Sequence, residues 1–180
     1  VASGAGAAAI ACLNLLVHAG LPRENITVCD REGVVYKGRN QGMDPYKEAY
    51  AVDTKNRTLE DAIKKADVFL GLSAPGVLSK EMVKSMNKAP LIMALSNPVP
   101  EIDPAIAREA QPQAVICTRR SDYPNQVNNV LCFPYIFRGA LDVGATAINE
   151  EMKLACVEAL AALARKEATA EVASVYEDED

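Results

Sequence analysis

Apolar residues recur along this chain in two rhythms. Short, nearly unbroken apolar runs at residues 1–3, 26–30, 67–72, 90–95 and 114–118 read as buried strands. Between them the apolar positions return every three or four residues, the spacing of a helix face. One helix is expected over residues 7–18, stopped by Gly20 and Pro22. A short helix is expected near residues 45–50. Another opens at Thr58, whose hydroxyl caps it while Asp61 suits the positive end of its dipole. Residues 79–86 read as a helix, and Asp103 caps a further short one. Beyond Asn129 the pattern is largely helical. An apolar helix is expected to start at Val130, and a long amphipathic one covers about residues 148–175, with Ile148, Met152, Ala155, Ala159 and Leu163 on one side.

Strands alternating with helices in this way imply βαβ units and a parallel sheet covered on both faces. The fold class expected is α/β, a Rossmann-like doubly wound parallel sheet forming a single domain over residues 1–180. The chain opens at Val1 without Met, and its first strand spans only three residues before a glycine. The expectation is therefore a domain excised from a larger protein, its first strand truncated at the N-terminus. Residues 176–180, four of them acidic, read as a solvated tail.

Composition narrows the function classes. The 180 residues are 49% hydrophobic and 24% charged, ordinary for a soluble globular protein. A net charge of −5 with no basic stripe argues against a nucleic-acid partner. No apolar run reaches the ~18–20 residues of a membrane span. Five cysteines at irregular spacing (Cys12, Cys29, Cys117, Cys132, Cys156) suggest reduced, buried thiols and a cytoplasmic location rather than a disulfide frame.

The first candidate chemistry is Gly4-Ala5-Gly6-Ala7-Ala8-Ala9, which follows a strand and opens a helix. In such a turn Gly4 makes the bend, Gly6 lets backbone approach a pyrophosphate, and Ala9 keeps the helix close to the sheet. Tight packing alone also uses small residues there. Asp30 ends the second strand, somewhat beyond the usual spacing of about 20 residues from the turn, where a carboxylate accepts the adenosine ribose hydroxyls. It also reads as a plain turn residue. Nearby Arg31, Lys37 and Arg39 could accommodate a 2′-phosphate, so NAD and NADP both stay open.

Ligands of open α/β sheets bind at the carboxyl ends of the strands. Three such ends carry candidates. Gly71-Leu72-Ser73-Ala74-Pro75-Gly76 follows the third strand, where small residues and Ser73 suit a cofactor ribose. Ser96-Asn97-Pro98 follows the fourth; Pro98 keeps Asn97 out of the helical region, and its amide can donate to a carboxylate while accepting from a hydroxyl. An Asn-Pro turn is the plainer alternative. The polar loop at residues 121–129 follows the fifth strand. It ends in Asn128 and Asn129, the latter either a ligand or the cap of the helix expected at Val130. His18 reads as a dipole partner at a helix end. Tyr123 has the chemistry of a general acid, with no neighbouring cation assignable from sequence.

These segments together resemble the malic enzymes. The glycine turn, residues 71–76, Ala94-Leu95-Ser96-Asn97-Pro98 and the block SDYPNQVNNVLCFPYIFRGALDVGATAINEEMK (residues 121–153) are similar to the bacterial branch, including forms fused to a phosphotransacetylase-like domain. The resemblance implies oxidative decarboxylation of (S)-malate to pyruvate and CO2, with NAD or NADP as cofactor and Mg or Mn required. By position it makes Asn97 and Asn129 malate contacts, with Asn128 beside Asn129. Gly4, Gly6 and Ala9 match the family's dinucleotide turn, and with Ala5, Asp30, Ser73 and Asn97 they make up the cofactor-binding residues expected. It also implies that the catalytic tyrosine, lysine and metal-binding carboxylates lie in an N-terminal catalytic domain upstream of this segment. The fragment alone is then inactive, and the full-length enzyme a homo-oligomer. Arg119 departs from the glycine usual there, which would strain the loop if that position needed positive φ. A non-catalytic nucleotide-sensing Rossmann domain and the cofactor domain of another two-domain dehydrogenase are the competing readings.

Overall fold

A computed structural model describes residues 1–167 and 169. The chain forms two compact units, Val1–Asn128 and Asn129–Asp180, where its length and composition suggest one domain. The break falls at the end of the polar loop that follows the last strand.

The first unit is built on a six-stranded sheet: β1 (Ala2–Ser3), β2 (Val28–Asp30), β3 (Gly33–Val34), β4 (Val68–Gly71), β5 (Leu91–Ala94) and β6 (Val115–Thr118). Their order is β3-β2-β1-β4-β5-β6. All neighbours are parallel except β3, which runs antiparallel to β2 with Cys29 opposite Val34. The parallel doubly wound sheet is as expected, with this antiparallel edge strand added to it. Gly33 and Val34, two residues inside a polar stretch, give no periodic signal. Helices α1 (Ala7–His18), α2 (Pro45–Glu48), α3 (Leu59–Ile63), α4 (Lys80–Ser85) and α5 (Pro104–Ala110) connect the strands.

The caps explain the helix starts. Thr58 and Asp61 form a reciprocal capping box on α3. The Ser79 side chain accepts from the Met82 N–H at the start of α4, and Asp103 from the Ala105 N–H at the start of α5. Asp44, unrecognised from sequence, does the same for α2 with Pro45 following.

Two cores hold the unit together. One gathers Ile63, Phe69, Leu78, Val83, Ile92, Ala107 and Ile116; the other gathers Ile10, Leu13, Val28, Val35, Tyr50 and Leu70. Adjacent residues of one strand point to opposite faces, and Phe69 lies in the first core while Leu70 lies in the second. The sheet is therefore covered on both faces, as a doubly wound fold requires. Strand order reverses at β1, which pairs with β2 on one side and β4 on the other. Such a reversal marks the ligand crevice of these sheets.

The second unit contains a 3₁₀ turn (Asn129–Leu131), α6 (Tyr135–Asp142) and α7 (Glu150–Ala164). No α-helix starts at Val130, so Asn129 is not the cap of one. Pro134, whose missing N–H suits a helix start, delays α6 to Tyr135. Helix α7 opens on Asn149, which caps through the Met152 N–H, and ends at Ala164 with Arg165 as its C-cap. The long helix expected over residues 148–175 is thus shorter at both ends. The expected tail at residues 176–180 lies outside the described residues. All five cysteines are free, but only Cys29 and Cys117 are buried; Cys12 is exposed, and Cys132 and Cys156 bring their Sγ atoms to 3.3 Å. No described helix is long and apolar enough to cross a membrane.

Candidate functional site

Strand β1 leads directly into the glycine turn. The Gly4 N–H donates to the Cys29 carbonyl and the Leu72 N–H to the Ser3 carbonyl, each at 2.8 Å, so the turn is pinned between β2 and the exit of β4. Gly4 has φ +113°, and a Cβ there would collide with the Leu72 carbonyl oxygen. Glycine at this position is a steric requirement of the fold.

Gly6 differs. Its φ of −83° suits any residue, and a Cβ would meet no protein atom within 4 Å. Neither packing nor backbone strain asks for glycine here. Gly6 is the N-cap of α1, which has no side-chain cap and no acidic residue in its first turn. The N–H groups of Ala7, Ala8 and Ala9 begin the helix, where donors lack intrahelical acceptors and the dipole is positive. Ala9 is 1% exposed, its small side chain allowing α1 to lie close on the sheet, and Ala5 is also buried.

Asp30 sits at the end of β2, as expected, but not as a free acceptor. Arg39 donates through Nη1 to Oδ1 at 2.8 Å and through Nη2 to Oδ2 at 2.6 Å. Lys47 Nζ reaches Oδ2 at 2.9 Å, and the Glu32 N–H reaches Oδ1 at 2.9 Å. Burial alone would raise this carboxyl's pKa; the hydrogen bonds from Arg39 and Lys47 outweigh it and hold it down at about 2. Of the three cations noted in the sequence, only Arg39 packs onto Asp30. Arg31 and Lys37 are exposed. Lys47 comes from α2, across a loop whose path no local spacing reveals.

The ends of β4 and β5 meet on a residue that sequence reading passed over. Glu101 is fully buried, accepting from the Ser73 N–H at 3.0 Å through one oxygen and from the Ser96 N–H at 2.9 Å through the other. The Ser73 hydroxyl also lies 2.8 Å from that of Ser3, just ahead of Gly4. Asn97 follows Ser96 with its side chain on the exposed surface, and its peptide bond to Pro98 is cis.

The loop after β6 folds back on these two. Arg120 pairs with Asp122 through Nε at 2.7 Å, donates to the Pro98 carbonyl at 3.3 Å, and lies 5.3 Å from the centre of the Tyr123 ring. A cation therefore does stand on Tyr123. Arg119 is not among the residues with positive φ, which besides glycines are Lys65, Ala89 and Asn125 among those described, so its departure from glycine brings no such strain. Asn125 takes the left-handed conformation (φ 59°) and donates to the Ile116 carbonyl at 3.1 Å. Asn128 ends the first unit and Asn129 begins the second.

The structure thus gathers Gly4, Gly6, Ser73 and Asn97 at the carboxyl edge of the sheet, with Asp30 one strand away. A cavity of about 820 Å³ lies instead at the amino ends of the strands, lined by residues such as Val1, Leu16 and Leu91. Its largely apolar walls offer none of this chemistry. Among the described residues no group of three or more His, Cys, Asp or Glu side chains could hold a metal ion.

Known proteins resemble this chain in sequence and fold. The family described as malic enzyme, NAD binding domain, matches residues 1–178. The NADP-dependent malic enzyme of Escherichia coli (strain K12) is 65% identical over all of this chain, which covers 24% of that protein. The NAD-dependent malic enzyme of Rhizobium meliloti (strain 1021) is 64% identical over 99% of the chain, covering 23% of its own length. The crystal structure of Entamoeba histolytica malic enzyme, 37% identical, overlays 83% of this chain and 32% of that one with a TM-score of 0.75. The chain spans about a quarter of the curated relatives named here. It belongs to the malic enzyme family, of which it is the NAD-binding domain.

Proposed function

We propose that this chain forms the dinucleotide bed of an enzyme that oxidatively decarboxylates (S)-malate to pyruvate and CO2. The observation that carries the reading is Gly6, a glycine that neither packing nor backbone requires, at the uncapped start of α1. A pyrophosphate seated there would explain it: the first-turn N–H groups donate to the phosphate oxygens, and the lack of a Cβ allows their approach. Gly4, Ala5 and Ala9 set the turn, and Ser73 flanks it. Bound NAD(P) supplies the hydride acceptor for the malate C2 carbon.

Asn97 is read as a substrate amide that also borders the cofactor, donating to a malate carboxylate and accepting from the C2 hydroxyl. Asn129, with Asn128 beside it, is assigned the same task in the whole enzyme. Such amides orient malate for transfer, a contribution of position rather than of proton chemistry. The described residues do not provide a donor set for Mg or Mn, and no step is assigned to a metal in this chain. The catalytic base and metal ligands are assigned to an N-terminal domain of the whole enzyme, which we take to be cytoplasmic and homo-oligomeric.

The cofactor choice follows charge. Relatives of nearly equal identity are named for NADP and for NAD, so overall similarity does not decide it. Asp30 carries two cations, Arg39 and Lys47, so these three side chains together carry a charge of +1. That balance favours a 2′-phosphate over a bare ribose diol, and we assign NADP as the preferred cofactor. The test is malate-dependent reduction of NADP and NAD by the whole enzyme. Turnover with malate, faster with NADP, supports the reading. No malate-dependent reduction of either dinucleotide overturns it.

A further inference from the structure

We infer that Glu101 is a positioning residue that locks the cofactor loop after β4 to the substrate loop after β5, an inference that rests on the malate-oxidising reading above. Glu101 lies on neither loop's recognition face and is fully buried. Its two carboxylate oxygens are divided between the loops: one accepts from Ser73 and the other from Ser96, the residue before Asn97. The main chain repeats the link, with the Gly76 N–H on the Pro100 carbonyl at 3.2 Å and the Leu78 N–H on the Glu101 carbonyl at 3.0 Å.

Gly71 shows how closely the site is built around this carboxylate. Its φ is not positive, so its backbone conformation does not require glycine. A Cβ there would stand 2.5 Å from Glu101 Cδ and 2.7 Å from each oxygen. Gly71 is glycine to make room for Glu101. A buried carboxylate is costly to keep, and here its hydrogen bonds go to two backbone donors on two different functional loops. An apolar residue of similar size would fill the space without joining those loops. The consequence is mechanical: displacing Ser73 displaces Glu101, and with it Ser96 and the neighbouring Asn97. Dinucleotide and malate contacts are therefore set as a pair.

Two substitutions in the whole enzyme test this. Glu101→Gln keeps the size but has a single acceptor oxygen, so its NH2 faces one of the two N–H donors and frees that loop. Gly71→Ala keeps the carboxylate but pushes it off both. We expect Glu101→Gln to raise the KM of malate or of NADP on the order of tenfold, and Gly71→Ala to raise both, as misplacement near the reacting groups does. NADPH binding, read by its fluorescence without malate, weakens in parallel in Gly71→Ala. A brace needed only for folding would lower Tm and the active fraction while leaving both KM values and the NADPH Kd unchanged. That result in either folded variant, or failure of both to fold, overturns the positioning role. Wild-type enzyme without malate-dependent reduction overturns the underlying reading instead, and is seen before any variant is compared.

Discussion

Arg39 lays its guanidinium along the Asp30 carboxylate, one nitrogen to each oxygen at 2.8 and 2.6 Å, with the Arg39 side chain only 4% exposed. The pair ties the loop between β3 and α2 back to the end of β2, and Arg39 also donates to the Gly33 and Val34 carbonyls. Removing the carboxylate leaves a buried guanidinium unpaired, so Asp30→Ala should lower stability by about 3–5 kcal/mol. Urea unfolding of the wild type and variant measures this.

The same pair gives a pH dependence. The folded Asp30 carboxyl titrates at about 2, below the ~3.9 of an unfolded aspartate. A depressed value means stability that is present above pH 4 and is lost as pH falls from about 4 to 2. Asp30→Asn should flatten the acid limb of the stability curve in that window and leave its neutral-pH slope unchanged. Circular dichroism melts across pH 2–7 read it.

Lys47 donates to Asp30 Oδ2 and to the Gly42 carbonyl, holding its charge beside the proposed adenosine ribose. Lys47→Ala should weaken NADP about tenfold relative to NAD, the scale of one charge-assisted hydrogen bond. The ratio of kcat/KM for the two cofactors in the whole enzyme checks this; an unchanged ratio removes Lys47 from cofactor choice.

What the sequence revealed depended on whether the signal was local. Helix α1, the caps Thr58 and Asp103, and five of the six strands follow from periodicity and single-residue chemistry, and all lie within a residue or two of their expected places. Glycine spacing located the turn but could not tell Gly4, which sterics demand, from Gly6, which they do not. That distinction needs the Leu72 carbonyl, far along the chain. Glu101 and Lys47 were missed for the same reason. Each acts through a partner on another element, and a lone acid after a proline carries no spacing signature. Asn129 read equally well as a helix cap because Pro134, five residues on, decides where α6 can begin.

Asn97 and Asn129 are proposed to hold malate. Losing one hydrogen bond to a charged group costs about 1.5–3 kcal/mol, so either Asn→Ala should reduce kcat/KM for malate roughly 10- to 150-fold with cofactor affinity little changed. Asn129→Asp adds repulsion against a carboxylate substrate while keeping the side-chain size. Wild-type kcat/KM for malate in Asn129→Asp would remove that residue from the substrate site.

The two turn glycines separate fold from function, and this contrast bears most directly on the assignment. Gly4→Ala forces a strained φ costing about 1–3 kcal/mol, or roughly 2–12 °C in Tm, and adds to it the clash of its Cβ with the Leu72 carbonyl oxygen. Gly6→Val should cost less stability than Gly4→Ala, since the Gly6 φ of −83° suits any residue and a Cβ there meets no protein atom within 4 Å. The decisive measurement is calorimetric titration of NADP into this 180-residue chain and its Gly6→Val variant, each shown to be folded by its melting curve. Binding by the wild type and none detectable by a folded Gly6→Val is the expected result. Equal affinity in the two proteins would contradict it, because the turn would then only pack.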